Sequence, residues 1–203
     1  MPARTSGPVN RDVRLTIREA FLEIPEIVTQ RLRVSQLTAN DAPAMFEYRS
    51  DPKIYKYQSF EPYLLSDVEA FISNFGSNTF DEPGTWCQFA IHLQDADKLI
   101  GDVGIHFIAD DSRQVEVGFT VAHDYQGMGY GSEAVTGVLD FLFVSLQKHR
   151  VFASVDPRNR PSVALLKRVG MRQEAQFRES LWFKGEWVDD MVFAVLKSEW
   201  LGR

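Results

Sequence analysis

A chain of 203 residues that is 44% hydrophobic, with 15 Phe and 4 Trp, suits one domain with a sizeable core. Its 22 basic and 28 acidic residues leave a net charge of −6, which argues against recognition of nucleic acid through a basic face. The single cysteine, Cys87, excludes an internal disulfide framework and, set in Trp86-Cys-Gln-Phe-Ala-Ile91, reads as a small buried strand residue.

The first fifteen residues lack the apolar stretch of a secretory signal. No run approaches the ~18 apolar residues of a membrane span, so a soluble cytoplasmic protein is expected. Residues 1–28 read as an N-terminal extension, polar and partly disordered, with a short strand suggested by alternation at Val13, Leu15 and Ile17. The extension could add a strand, cover a sheet edge or pair subunits into a homodimer. The folded domain is expected over residues 29–203.

Leu32, Val34 and Leu37 mark a first strand. Thr38 to Asp41 has the form of a capping box and opens a helix through Met45 and Tyr48, which Ser50-Asp-Pro52 stops. Ser66 to Glu69 forms a second capping box before Val68, Phe71, Ile72 and Phe75 at helical spacing. Three strands follow, around Trp86 to Leu93, Leu99 to Ile108 and Gln114 to Val121, and they predict an antiparallel meander. Gly101 and Gly104 suggest a bulge or close backbone contact in the second of them.

Ser132 to Lys148 is helical and apolar nearly all round, so it should be buried. Val151 to Val155 reads as an interior strand. Asn159 to Val169 reads as a helix ended by Gly170, and the hairpin strands Phe177 to Phe183 and Trp187 to Leu196 close the chain. The order β-α-α-β-β-β-α-β-α-β-β predicts an α/β protein with one mixed sheet.

Gly127, Gly129 and Gly131 stand where the long apolar helix must start. A strand that runs into a glycine turn and then a helix N-terminus can bind an anion, because unpaired amides and the helix dipole both favour negative charge. The G-x-G-x-G spacing after an antiparallel strand does not fit a dinucleotide fold, and no Lys-Ser or Lys-Thr follows to make a P-loop. A tight turn without a ligand fits the spacing equally.

Gln126-Gly-Met-Gly-Tyr-Gly131 resembles the Q/R-x-x-G-x-G/A signature of the GCN5-related N-acetyltransferase (GNAT) superfamily. Thr29-Gln-Arg-Leu-Arg-Val34, Asp41, Ser50-Asp-Pro52, Val115-Glu-Val-Gly-Phe119, Glu133-Ala134, Asn159-Arg-Pro-Ser162 and Val169-Gly-Met171 follow in the order of that superfamily. They resemble its ribosomal-protein-alanine acetyltransferase (RimJ/RimL-like) subgroup, whose C-terminal hairpin Arg178, Gly185, Trp187 and Asp189 also resemble.

The resemblance implies a GNAT fold of α/β (α+β) class. Its mixed, mostly antiparallel sheet splays into a V at the cofactor site, with helices on both faces. It implies acetyl-CoA (coenzyme A) as co-substrate, no metal, and an amine acceptor that is a small molecule or a protein N-terminus. No nucleic-acid or membrane partner is implied. By the same resemblance, main-chain groups of Phe119, Thr120 and Val121 would pair with the pantetheine arm. Amides of Gln126, Gly127, Met128, Gly129, Tyr130, Gly131 and Ser132 would hold the pyrophosphate. Asn159 would reach the arm from the other side, with Ser162 near the thiol.

Amine attack on a thioester needs a base, and Glu116 is the candidate, although its alternation with Val115 and Val117 also fits a solvated strand carboxylate. The family's usual thiolate-protonating Tyr is Leu166 here, which leaves Ser162 or water as the proton donor. That departure makes a catalytically silent acyl-CoA-binding regulatory module the alternative reading. Tyr55, Tyr57, Phe60 and Tyr63 are candidates for the acceptor cleft, and Lys148, His149, Arg150, Arg158 and Arg160 for a 3′-phosphate contact. His92 and His106 read as structural or cleft-facing strand residues, and no ligand spacing suggests zinc.

Overall fold

The computed structural model describes residues 26–76 and 78–203, so the strand suggested around Val13 to Ile17 lies outside the described residues. One eight-stranded sheet runs in the order β1-β2-β3-β4-β5-β6-β8-β7. Its strands are β1 (Ile27–Val28), β2 (Leu32–Gln36), β3 (Trp86–Leu93), β4 (Leu99–Phe107), β5 (Gln114–Val121), β6 (Arg150–Val155), β7 (Arg172–Phe183) and β8 (Glu186–Leu196). Every neighbouring pair is antiparallel except β5 with β6.

The helices are α1 (Ala42–Arg49), α2 (Pro52–Tyr55), α3 (Leu65–Gly76), α4 (Tyr130–Asp140), α5 (Arg160–Arg168) and α6 (Lys197–Leu201). They divide between the two faces of the sheet. On one face Val135, Val138 and Leu139 of α4, Leu166 of α5 and Trp200 of α6 share one buried cluster with the odd-numbered β5 residues Val115 and Val117. On the other, Met45 and Tyr48 of α1 and Val68 and Ile72 of α3 close over Ala90 and Leu99. Cys87 is buried, and that burial pushes its thiol up to about 11, which suits an inert packing residue.

The predicted meander is present, and the glycines of β4 have distinct causes. The β3–β4 register shifts between Ile91 and His92, which makes a bulge beside Gly101. A Cβ on Gly101 would lie 2.2 Å from the carbonyl oxygen of Thr120, so only glycine fits. The Thr38 to Asp41 capping box forms, as the short 3₁₀ turn Ala39–Asp41 that leads into α1.

Four expectations need correction. Helix α3 starts at Leu65, because the Asp67 carboxylate accepts hydrogen bonds from the amides of Tyr63 and Leu64. The single helix expected over 132–148 stops at Asp140 and continues as a π-helical turn, Phe141–Ser145. That wider turn sets three successive residues, Phe141, Leu142 and Phe143, against the core. Strand β7 begins at Arg172, five positions before the expected start, because its polar first half is an exposed edge that carries no apolar alternation. Helix α6, unpredicted, is fixed by Trp200, whose indole N–H donates to Asp140 across 2.7 Å.

The site is created where β5 and β6 part. They pair only over Gln114 to Glu116 with Arg150 to Phe152. Beyond Glu116, β5 continues to Val121 and β6 to Val155 without pairing to each other, so the sheet opens as a V at the C-terminal ends of both strands.

Candidate active site

The glycine loop lies at the open end of β5. Gly127 and Gly129 take φ of 76° and 84°, a left-handed conformation that side chains resist, and Gly129 caps α4. Gly131 answers to packing instead, since a Cβ there would lie 2.8 Å from Leu165 Cδ1 and stop α4 and α5 meeting. Only two of the three glycines therefore serve the turn itself.

Among the described residues, the amides of Gly127, Met128, Gly129, Tyr130, Gly131 and Ser132 donate to no acceptor. The Gln126 amide does not join them, because it donates to the His123 carbonyl across 3.1 Å. Its side chain instead anchors the loop, donating to the Val121 carbonyl across 2.9 Å. A run of free donors in a concave turn at a helix N-terminus is an anion cradle that needs no cationic side chain.

A clamp from the turn between β1 and β2 holds this cradle. Glu133, in the first turn of α4, accepts from the Thr29 hydroxyl (2.7 Å), the Arg31 amide (2.7 Å) and Arg31 Nε (2.6 Å). Arg31 also donates to the Met128 carbonyl across 3.1 Å and lies 4.3 Å over the Tyr130 ring. Burial alone would raise the Glu133 carboxyl, but these hydrogen bonds outweigh it and hold the group below its ordinary value. The stabilisation is therefore complete above the ordinary carboxylate pKa and fades as pH falls through the lowered one. Glu133→Gln is expected to weaken coenzyme A binding by about three- to tenfold, and to flatten part of the acid limb of a stability–pH curve. Calorimetric titration and thermal melting from pH 3 to 7 check both.

The V is a cleft lined by Gly118 and Phe119 of β5, by Ser154 and Val155 of β6 and Asp156 just after it, and by Asn159, Ser162 and Leu166 at the cap and on the body of α5. Leu181 and Phe183 of β7 and Val188, Asp189 and Asp190 of β8 close it, with Tyr57 and Gln58 from the segment after α2. The structure thus brings Phe119, Asn159 and Ser162 to one cavity. Asn159 Oδ1 accepts the Ser162 amide as the cap of α5 (3.4 Å), which fixes the side chain at the mouth. Thr120 and Val121 bury their side chains, so what they can offer a ligand is main chain along the unpaired edge of β5. Leu166 is buried at the cleft wall and supplies no proton.

Glu116 sits at the apex of the V, the last β5 residue paired to β6. Its carboxylate is about one-quarter exposed and lies 3.5 Å from Nδ1 of His106, its cross-strand partner on β4. The next residue on that face, Gly118, would have nothing within 4 Å of an added Cβ, so open space adjoins the carboxylate.

Of the aromatic candidates, only Tyr57 reaches the cleft, where its hydroxyl donates to the Arg158 carbonyl across 3.3 Å. Phe60 stacks on Phe71 in the second core, Tyr55 lies under Lys184 and Tyr63 is exposed. The basic cluster does not gather at the loop. Lys148 is buried against Asp81, Arg150 pairs with Glu174, and Arg158 pairs with Asp156 and Glu186. Lys148 to Arg150 also stand at the start of β6, the paired end of the V, because β6 runs parallel to β5. Besides Arg31, a second cation beside the loop that sequence reasoning missed is Arg168, which donates to Ser132 Oγ across 3.3 Å. Only the packing of α5 on α4 brings it there.

An open V between parallel strands, a cradle of free amides at its mouth and a carboxylate at its apex make a cleft suited to an anionic ligand and to a reaction that moves a proton. The comparisons agree. The model of the acetyltransferase (GNAT) domain matches residues 31–172, and the chain belongs to this family. The N-acetyltransferase YnaD of Bacillus subtilis (strain 168) is 32% identical over 175 residues, 86% of this chain and 98% of that one. The [ribosomal protein uS5]-alanine N-acetyltransferase of Escherichia coli (strain K12) is 23% identical over 180 residues, 86% of this chain and 92% of that one. Among solved structures, an acetyltransferase of the GNAT family from Bacillus anthracis superposes with a TM-score of 0.77 at 27% identity, covering 86% of this chain and all of that one. The protein is an N-acetyltransferase that moves an acetyl group to an amine.

Proposed function

We propose that this cytoplasmic enzyme takes its acetyl group from acetyl-CoA, bound by the Gly127 to Ser132 amides and the open edge of β5, and that Glu116 is the base. The observation that carries the reading is the run of amides without acceptors at the mouth of the V. The diphosphate of a thioester carrier supplies the charge and oxygen atoms such a cradle lacks. When bound, the carrier supplies an acyl carbon activated by a thiolate leaving group.

The chain's own residues then have distinct tasks. The Gln126 side chain and the Arg31–Glu133 clamp keep the cradle in shape. Asn159, its oxygen committed to the α5 cap, offers its amide nitrogen to the arm, and Ser162 stands beside the path of the sulfur. Glu116 removes the proton that the amine must lose as its nitrogen bonds to the acyl carbon, directly or through one water. Leu166 leaves the departing thiolate to be protonated by Ser162 or solvent. The acceptor is a primary amine that enters past Tyr57, Gln58 and the β7–β8 hairpin, a small molecule or a protein N-terminus such as its Escherichia coli relative modifies. No observation favours a silent binding module.

The test pairs calorimetry with a thiol-release assay on peptides, polyamines and aminoglycosides. Acetyl-CoA is expected to bind, and at least one amine class to be turned over. Gly129→Val, which forces a β-branched residue to positive φ, is expected to weaken acetyl-CoA binding by about tenfold or more. No heat with millimolar acetyl-CoA, or unchanged binding in Gly129→Val, overturns the reading.

A further inference from the structure

The Glu116 reading leaves open where the abstracted proton goes, and the neighbouring strand supplies a route. On the face of the sheet that carries Glu116, the row across β3, β4, β5 and β6 is Trp86, His106, Glu116 and Phe152. The Trp86 indole stacks on the His106 ring at a centroid distance of 4.6 Å and an interplanar angle of 8°, which fixes the imidazole plane. Nδ1 of that ring points to the Glu116 carboxylate at 3.5 Å, yet it is buried without a hydrogen-bond partner. A buried polar nitrogen left unpaired costs about 1–3 kcal/mol, so its persistence beside a carboxylate calls for a cause. Nε2, in contrast, is not among the buried unpartnered atoms, and the side chain is about one-quarter exposed.

The other charged group on this face of β4 is closed off. Asp102 is held by Tyr48, Arg49 and Gln88, and it is separated from His106 by Gly104. Gly104 also keeps the row intact, because a Cβ there would press to 3.0 Å from the Trp86 ring. The imidazole therefore faces one titratable group, Glu116, and one route outward.

We propose that His106 is a positioning and relay residue that acts through Glu116, an inference that rests on Glu116 being the base. It holds the protonated Glu116 carboxyl by accepting its O–H and passes the amine's proton to solvent. The relay uses the tautomer that carries its hydrogen on Nε2, in which Nδ1 is an acceptor. Glu116 takes one proton from the attacking amine and hands it to Nδ1, which returns Glu116 to carboxylate. The imidazolium then releases its Nε2 proton to water. Once product has left, Nε2 takes a proton from water and the buried Nδ1 returns its own to Glu116, whose partly exposed carboxyl releases it to the open cleft and restores the starting tautomer. One proton moves from amine to solvent, and no other bond changes.

The test is a double-mutant cycle with chemical rescue, read as kcat and KM with saturating acetyl-CoA and the best acceptor amine. His106→Ala is expected to lower kcat by about ten- to a hundredfold with the KM for acetyl-CoA unchanged. Added imidazole is expected to restore part of the loss, which repair of packing would not explain. In a Glu116→Gln background the same change is expected to cost nothing further. Should His106→Ala unfold, His106→Gln, which keeps bulk against Trp86, goes through the same cycle without the rescue arm.

Full kcat in the His106 variant, a loss that imidazole leaves untouched, or an equal loss in both backgrounds overturns the relay. Full activity of Glu116→Gln alone overturns the base assignment, and the relay falls with it. A slow Glu116→Gln enzyme beside a fast His106→Ala enzyme sinks the relay only.

Discussion

Glu116→Gln is expected to lower kcat by about 10²- to 10⁴-fold while leaving acetyl-CoA binding where it was. The substitution keeps the shape of the side chain and removes its basicity, so the packing between His106 and Phe152 survives. The cradle that holds the diphosphate lies at the far end of β5, past Val121, and shares no residue with the apex. Binding and proton removal are therefore separable in this fold, and the variant should divide them. Its residual rate should rise with pH, as a larger fraction of the acceptor reaches the cleft already deprotonated. Calorimetry with acetyl-CoA and steady-state kinetics across pH check this. A variant that turns over a good acceptor at the native rate would leave Glu116 as an ordinary strand carboxylate.

Much of this site is legible in the sequence because main chain builds it. A strand, three glycines and an apolar helix in succession dictate a turn with free amides, and a motif of main-chain chemistry needs few side chains to be recognised. The same logic misjudged Gly131, because spacing alone cannot separate a glycine needed for φ from one needed for close packing. Gly131 meets Leu165 only after α5 has docked. The basic run at 148–150 failed for a related reason. It is near Asn159 in sequence, but a parallel strand intervenes, and β6 carries the run to the opposite end of the V. Arg168 was invisible because its partner, Ser132, is 36 residues away and one helix over. His106 was legible only as a histidine in a strand. Register made it the neighbour of Glu116, and register is a property of the paired sheet, not of one segment.

Beneath the cleft, Asp102→Ala is expected to destabilise the fold by about 3–5 kcal/mol, the largest effect on stability that the structure leads us to expect. Asp102 is 1% exposed, and its carboxylate accepts from the Tyr48 hydroxyl, from Arg49 Nε (3.1 Å) and Nη2, and from Gln88. Burial, joined by the charge of Asp102, raises the Tyr48 hydroxyl well above its ordinary value, so it stays a donor. Burial alone would lower the Arg49 guanidinium, but Asp102 outweighs it, so the cation stays charged inside the protein. Removing the carboxylate leaves that cation buried without its counter-charge, its Nη1 still donating across a long 3.4 Å to Gln58 Oε1. For a chain of this size the loss corresponds to a fall in melting temperature of about 6–20 °C. The damage should also be felt in the cleft. The same pair ties α1 to β4, and Gln58, at the cleft wall, loses its fixed neighbour, so KM for the acceptor should rise more than KM for acetyl-CoA. A double variant, Asp102→Leu with Arg49→Met, removes both charges together. It should melt above Asp102→Ala, because a buried ion pair lost whole costs less than one lost by half. Thermal melting of the two variants beside the native chain decides it, and equal melting points for all three would show that the pair carries no stability.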